Sequence, residues 1–154
     1  MGLESRRMTR FYDIDDANAL LPTLADVVGV LGEQRAELVR LRDEVLAGGL
    51  AGGEGAATTV GGAASGSEVP PISSELRLTR LRMQGLIDQM AAGVARIDAL
   101  GLTLRDIERG LVDFPALVSG RQIWLCWQVG EASIDWWHRL DTGFEGRQPL
   151  AELA

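Results

Sequence analysis

Leu111 to Val129 reads LVDFPALVSGRQIWLCWQV, and this stretch decides the fold. Two runs rich in Val, Leu, Ile, Phe and Trp flank Ser119-Gly120. A two-residue loop ending in glycine between such runs predicts a β-hairpin. If Val118 pairs with Arg121, one face holds Val112, Phe114, Ala116, Ile123, Leu125 and Trp127. That face is wholly apolar and is the expected core side. The opposite face carries Asp113, Pro115, Leu117, Gln122, Trp124, Cys126 and Gln128, with Asp113 directly across from Cys126. Slipping the pairing by one residue would send Phe114, Leu125 and Trp127 to solvent, so burial pins the register.

Upstream of the hairpin the period is helical. Ala17, Leu24, Leu31, Leu38 and Val45 recur every seven residues, with Leu20, Val27, Gln34 and Leu41 three further on. This is a coiled-coil-like seam, and it predicts one long helix from Asp15 to about Ala47. Asp13 suits its N-cap, and Asp15 and Asp16 suit the dipole of the first turn. Pro22 predicts either a kink or a later start. A second seam, Leu76, Met83, Met90 and Ile97, predicts a helix from Ser73 or Ser74 to about Leu100, with Gly101 closing it. Between them, residues 48–71 hold eight glycines and read as a flexible linker. Thr103 to Ile107 suits a short strand. Residues 1–10 read as a loose leader, and 11–154 as a single domain. The expected fold is α+β: a long antiparallel helical hairpin on a small antiparallel sheet, with a short C-terminal helix capped by Ser133 and ending near Leu140.

Composition narrows the function. The chain has 154 residues and a formal net charge of −7, which argues against nucleic-acid and anionic-membrane binding. All 15 basic residues are arginine, so lysine chemistry is not available. One cysteine, Cys126, excludes an intrachain disulfide and multi-cysteine metal clusters. No apolar run approaches the ~20 residues that span a bilayer, and the polar N-terminus has no signal-peptide core. These features lead us to expect a cytoplasmic protein.

Further residues carry a resemblance. Gly110-Leu111-Val112-Asp113-Phe114-Pro115-Ala116, Gly120-Arg121, Leu125-Cys126-Trp127, Gly130-Glu131, Trp137-His138, Asp141, Gly143-Phe144 and Gly146-Arg147 form one long pattern. With Phe11 and Asp16-Ala17-Asn18-Ala19-Leu20-Leu21-Pro22, this pattern resembles the domain of unknown function 2203 family, a bacterial family. The resemblance implies membership and no activity.

The last third gathers the ionisable groups. On a short helix Asp135, His138 and Asp141 would share one face. A carboxylate–imidazole–carboxylate set can hold a divalent metal, here Glu131, His138 and Asp141, with Asp113 in reach. His138, the only histidine, can instead pin the tail to the hairpin through Asp113 or Glu131, with Arg147 in the same network. A Cys126–His138 dyad is the only histidine-based nucleophile, although a mid-strand cysteine usually just packs. Asp113, Trp124 and Arg147 are the candidates for holding a small ligand. The four tryptophans lie between 124 and 137, more than a small sheet is expected to bury, so some should line a pocket or an interface. Two functions follow: an interaction module that forms a homodimer or docks a protein partner, or a metal- or ligand-binding protein, with an enzyme as one form of the second.

Overall fold

A computed structural model gives the architecture, and it describes residues 10–53 and 73–153. The leader, except Arg10, and most of the expected linker lie outside the described residues. The elements are α1 (Ile14–Gly53), α2 (Ser74–Ala99), β1 (Thr103–Asp106), β2 (Leu111–Val118), β3 (Arg121–Gln128), β4 (Trp136–His138) and β5 (Gln148–Pro149). Short 3-10 turns cover Phe144–Gly146 and Leu150–Glu152. The fold is α+β, with two helices and a five-stranded antiparallel sheet in the order β1-β2-β3-β4-β5. Among the described residues no helix is long and apolar enough to cross a membrane.

The caps are those the sequence offers. Asp13 Oδ1 accepts from the Asp16 amide at 2.7 Å, and Ser73 Oγ accepts from the Leu76 amide at 3.2 Å. α2 ends in a Schellman turn: Gly101 has φ 76°, Leu102 N–H donates to the Ile97 carbonyl and Gly101 N–H to that of Asp98. α1 runs on to Gly53, six residues into the expected linker. It also begins before Pro22 and continues through it, so the proline does not mark the start. Lacking an N–H, Pro22 leaves the Asn18 carbonyl without its usual helical donor.

The chain forms two compact units, residues up to Glu33 with Ala91 onward, and Gln34–Met90. In the second unit Leu41 and Leu86 are buried, Gln34 Nε2 donates to Gln89 Oε1 at 3.1 Å, and Arg82 pairs with Glu37. In the first unit the core joins Ala17, Leu24, Val28, Leu31 and Ile97 to the apolar hairpin face. All six of that face's residues are buried, with Phe114 and Val112 at 0% exposure. Gly93 lies against Leu31: a Cβ there would stand 2.9 Å from its Cδ2. Gly110 has φ 66°, and a Cβ on it would meet Val129 Cγ1 at 2.4 Å, so the turn into β2 requires glycine.

The hairpin register is Val118↔Arg121 through Leu111↔Gln128. Ser119 and Gly120 have φ 52° and 78°, the positive pair of a type I′ turn. Pro115 sits in β2 beyond the end of β1, so its missing N–H costs no ladder bond, and its carbonyl accepts from the Tyr12 amide at 2.8 Å.

The helix expected over 133–140 is not there. Residues 136–138 form β4, which pairs with β3 as Trp124↔His138, Leu125↔Trp137 and Cys126↔Trp136. The run Trp136-Trp137-His138 is too short for periodicity to separate strand from helix, and paired aromatics favour the pleat. The C-terminal helical turns fall later, at 144–146 and 150–152.

Candidate functional site

Pairing fixes which side chains meet. Residues opposite each other in a sheet share a face. Thr103, Asp113, Cys126 and Trp136 therefore form one row on the side away from the core, and Pro115, Trp124 and His138 the next. His138 reaches diagonally across β3 to Asp113, and its Nε2 stands 2.9 Å from Asp113 Oδ2. Both are 2% exposed, as is Cys126. One ligand atom from each of Asp113, Cys126 and His138 lies within 4.8 Å of the other two.

The partners of His138 restrict its protons. Nδ1 lies 2.8 Å from the Arg139 carbonyl, which can only accept, so Nδ1 carries hydrogen and donates. Nε2 faces a carboxylate, a second acceptor. Nε2 and the Asp113 carboxyl group therefore share either a proton or a cation. A backbone carbonyl on the distal nitrogen is the usual orienting contact of a metal-bound histidine.

Arg105 completes the wall. Thr103 and Leu104 pair with Asp113 and Val112, but Asp106 pairs with Leu111, so a bulge falls at Arg105. Alternation along β1 puts Arg105 on the face of Thr103 and Asp113, and its Nε donates to Asp113 Oδ2 at 2.8 Å while its guanidinium lies 5.0 Å from the Trp124 ring centre. Its side chain is 46% exposed, against 3% for Asp113. A cleft of about 300 Å³ opens over the cluster, closed by the loop from Leu140 to Phe144.

Cys126 is neutral in this setting. Burial pushes its thiol up to about 11; the Asp113 carboxylate adds to that, and the Arg147 guanidinium, which hydrogen-bonds the sulfur, opposes it. Arg147 also pairs with both Glu131 oxygens at 3.2 Å and lies between Trp136 and Phe144, 4.6 and 4.2 Å from their ring centres.

The residues singled out from the sequence divide between these two groups. Asp113 and His138 come together, by way of a strand rather than a helix. Asp141 lines the same cleft from the following loop. Glu131 stands with Arg147 and also caps the Gln128 amide at 2.6 Å. Asp135, expected beside His138, is exposed and accepts from Ser133 Oγ, because a strand alternates faces where a helix would align them. Trp127 and Trp137 fall on the core side, while Trp124 and Trp136 lie half-buried under arginines. Sequence reasoning missed Arg105, since four residues of strand do not reveal that they pair with β2 as Thr103↔Asp113. It weighed Cys126 as packing or nucleophile, although its own register had set Asp113 opposite.

The model of a family described as an uncharacterized conserved protein, DUF2203, matches residues 10–150. No curated protein and no solved structure matches the chain.

Proposed function

The chain belongs to the DUF2203 family, and from that premise we propose that it is a divalent-metal-binding protein with Asp113, Cys126 and His138 as ligands. The observation that carries this reading is His138, buried with both ring nitrogens facing acceptors and its Nε2 aimed at a carboxylate beside a thiol. One sulfur, one imidazole and one carboxylate suit zinc, and three protein ligands leave a fourth position open to the cleft. Bonds of 2.0–2.3 Å imply ligand atoms about 3.3–3.7 Å apart, so the His138–Asp113 contact must widen by about half an ångström. Two histidines within one chain are excluded, which disfavours copper-type sites.

Elemental analysis after dialysis against zinc tests the reading. It expects one zinc per chain in the native protein and none in His138→Ala or Asp113→Ala. Equal retention in all three, or none in the native protein, would leave the His138–Asp113 hydrogen bond as a structural pin only.

A second reading, self-association, has its own support in the unit Gln34–Met90. Leu46, Leu78 and Leu81 are each more than half exposed there. Arg77, Arg80 and Arg82 flank the two α2 leucines, and Glu37, Asp43 and Glu44 lie on α1, so a second copy can meet both the apolar and the charged groups. Light scattering is expected to give a dimer mass that Leu78→Glu with Leu81→Glu reduces to the monomer. A monomer mass for the native chain at ~100 μM, well above micromolar affinities, contradicts this.

A further inference from the structure

We infer that the cleft over Asp113, Cys126 and His138 takes a small oxyanion, a carboxylate or a phosphate, held between the bound metal and Arg105; this rests on the metal reading above. Four observations converge. Strand alternation sets Arg105 on the same face as Thr103 and Asp113, and the bulge leaves it without a cross-strand partner. Its Nε is spent on Asp113, and among the described residues its two terminal nitrogens have no hydrogen-bond partner. The side chain is half-exposed at the cleft, with its guanidinium 5.0 Å from the Trp124 ring centre. A planar guanidinium fixed in this way presents a two-pronged donor edge that matches a carboxylate or phosphate.

Charge agrees with that assignment. A divalent ion with the Asp113 carboxylate and a Cys126 thiolate is neutral as a group, and Arg147 is neutralised by Glu131. Among the described residues Arg105 then remains as the one cation of the cleft lining, beside the open metal position. The carboxylates that also line the cleft are Asp106 and Asp141. Asp106 is occupied by the Arg109 amide at 3.0 Å, and Asp141 is exposed to solvent. They bound the space and favour a compact anion over an extended one. A cleft of about 300 Å³ lies at the small end of ligand sites and has ample room for acetate or inorganic phosphate.

Cobalt(II) is the probe, because its visible spectrum reports both its thiolate ligand and any exchange at the open position. Cobalt is loaded into the full chain, and acetate and inorganic phosphate are titrated in separate arms. The inference expects a saturable spectral change in at least one arm, with the tighter-binding arm identifying the oxyanion class. Arg105→Gln should take up cobalt with the native spectrum and bind that anion about tenfold more weakly, from the loss of charge-assisted hydrogen bonds. If Arg105→Gln fails to load cobalt, Arg105→Lys makes the same comparison: it keeps the charge, loses the fork and should weaken the anion severalfold. Normal cobalt loading with no anion response, or an equal response in native and variant protein, overturns the inference and leaves the metal reading intact. No cobalt uptake by the native chain overturns both, and that failure is recognised before any anion is added.

Discussion

On the two faces of the β2–β3 hairpin, residues are buried to the same depth by opposite means where Phe114 meets the core and where Asp113 meets His138. On one face Phe114, Leu125 and Trp127 meet other apolar groups. On the other, Asp113 of β2 and His138 of the neighbouring β4 are as deeply buried but are covered by each other and by Arg105. The apolar face asks for volume and tolerates imperfect polar satisfaction; Trp137 Nε1 is buried there without a hydrogen-bond partner among the described residues. The polar face asks for particular atoms, because a buried carboxylate without donors is costly. The pleat sorts these demands into alternate residues of one strand, so depth of burial alone does not separate core from site.

The largest effect should come from the core side. Phe114→Ala removes a ring at 0% exposure and its edge-on contact with Tyr12, centroids 5.5 Å apart, and should cost about 3–5 kcal/mol in denaturant unfolding. A loss below about 1 kcal/mol would mean that this face does not anchor the fold. Next comes His138→Ala, expected to cost the metal-free protein about 1–3 kcal/mol, since Asp113 loses a buried partner and keeps only Arg105. Zinc should raise the melting temperature of the native protein and leave this variant unchanged.

Cys126→Ser sharpens the contrast. It nearly conserves volume but buries a hydroxyl where Arg147 already donates to the sulfur, so the metal-free fold should lose at most about 1–3 kcal/mol. Zinc affinity should nevertheless fall at least about tenfold, because a serine hydroxyl is a poor substitute for a thiolate ligand. Comparable loss of stability and retained affinity would reverse the assignment of this face.

The smallest effect belongs to Tyr12, the only tyrosine and the polar handle of the core side, whose hydroxyl donates to the Leu100 carbonyl. Burial raises its phenol above the usual 10.0, against the lowering influence of Arg10. The folded state therefore favours the neutral phenol. Its contribution to stability is complete below about pH 10 and is lost as pH rises through the raised value. Absorbance titration should show one phenolate forming above pH 10 in the folded chain, and Tyr12→Phe should flatten that part of the stability–pH curve. Ionisation at or below 10 would contradict the burial.

Much of this was legible in the sequence, for identifiable reasons. Ser119-Gly120 and the strict alternation around it admitted one register, and that register alone set Asp113 opposite Cys126 and away from the core. The capping residues Asp13, Ser73 and Gly101 bracketed the helices through local hydrogen-bond chemistry. The tail was misread because Trp136-Trp137-His138 becomes a strand only by pairing with β3, a tertiary fact that no local window contains. The same error put Asp135 and Glu131 beside His138. Arg105 was invisible because nothing local fixes that β1 pairs with β2 in the register Thr103↔Asp113, which sets Arg105 beside Asp113. His138 still reached Asp113, since a tail that must cover the exposed side of the hairpin has few other places to put its one imidazole.

The account's central claim is that sulfur, imidazole and carboxylate from three strands share one ion. X-ray absorption at the zinc edge of the loaded protein tests it most directly. The account predicts one sulfur at about 2.3 Å and the remaining ligands, nitrogen and oxygen, at about 2.0–2.2 Å in a four-coordinate site. A shell of nitrogen and oxygen alone, as exposed carboxylates such as Asp135 and Asp141 would give, contradicts it.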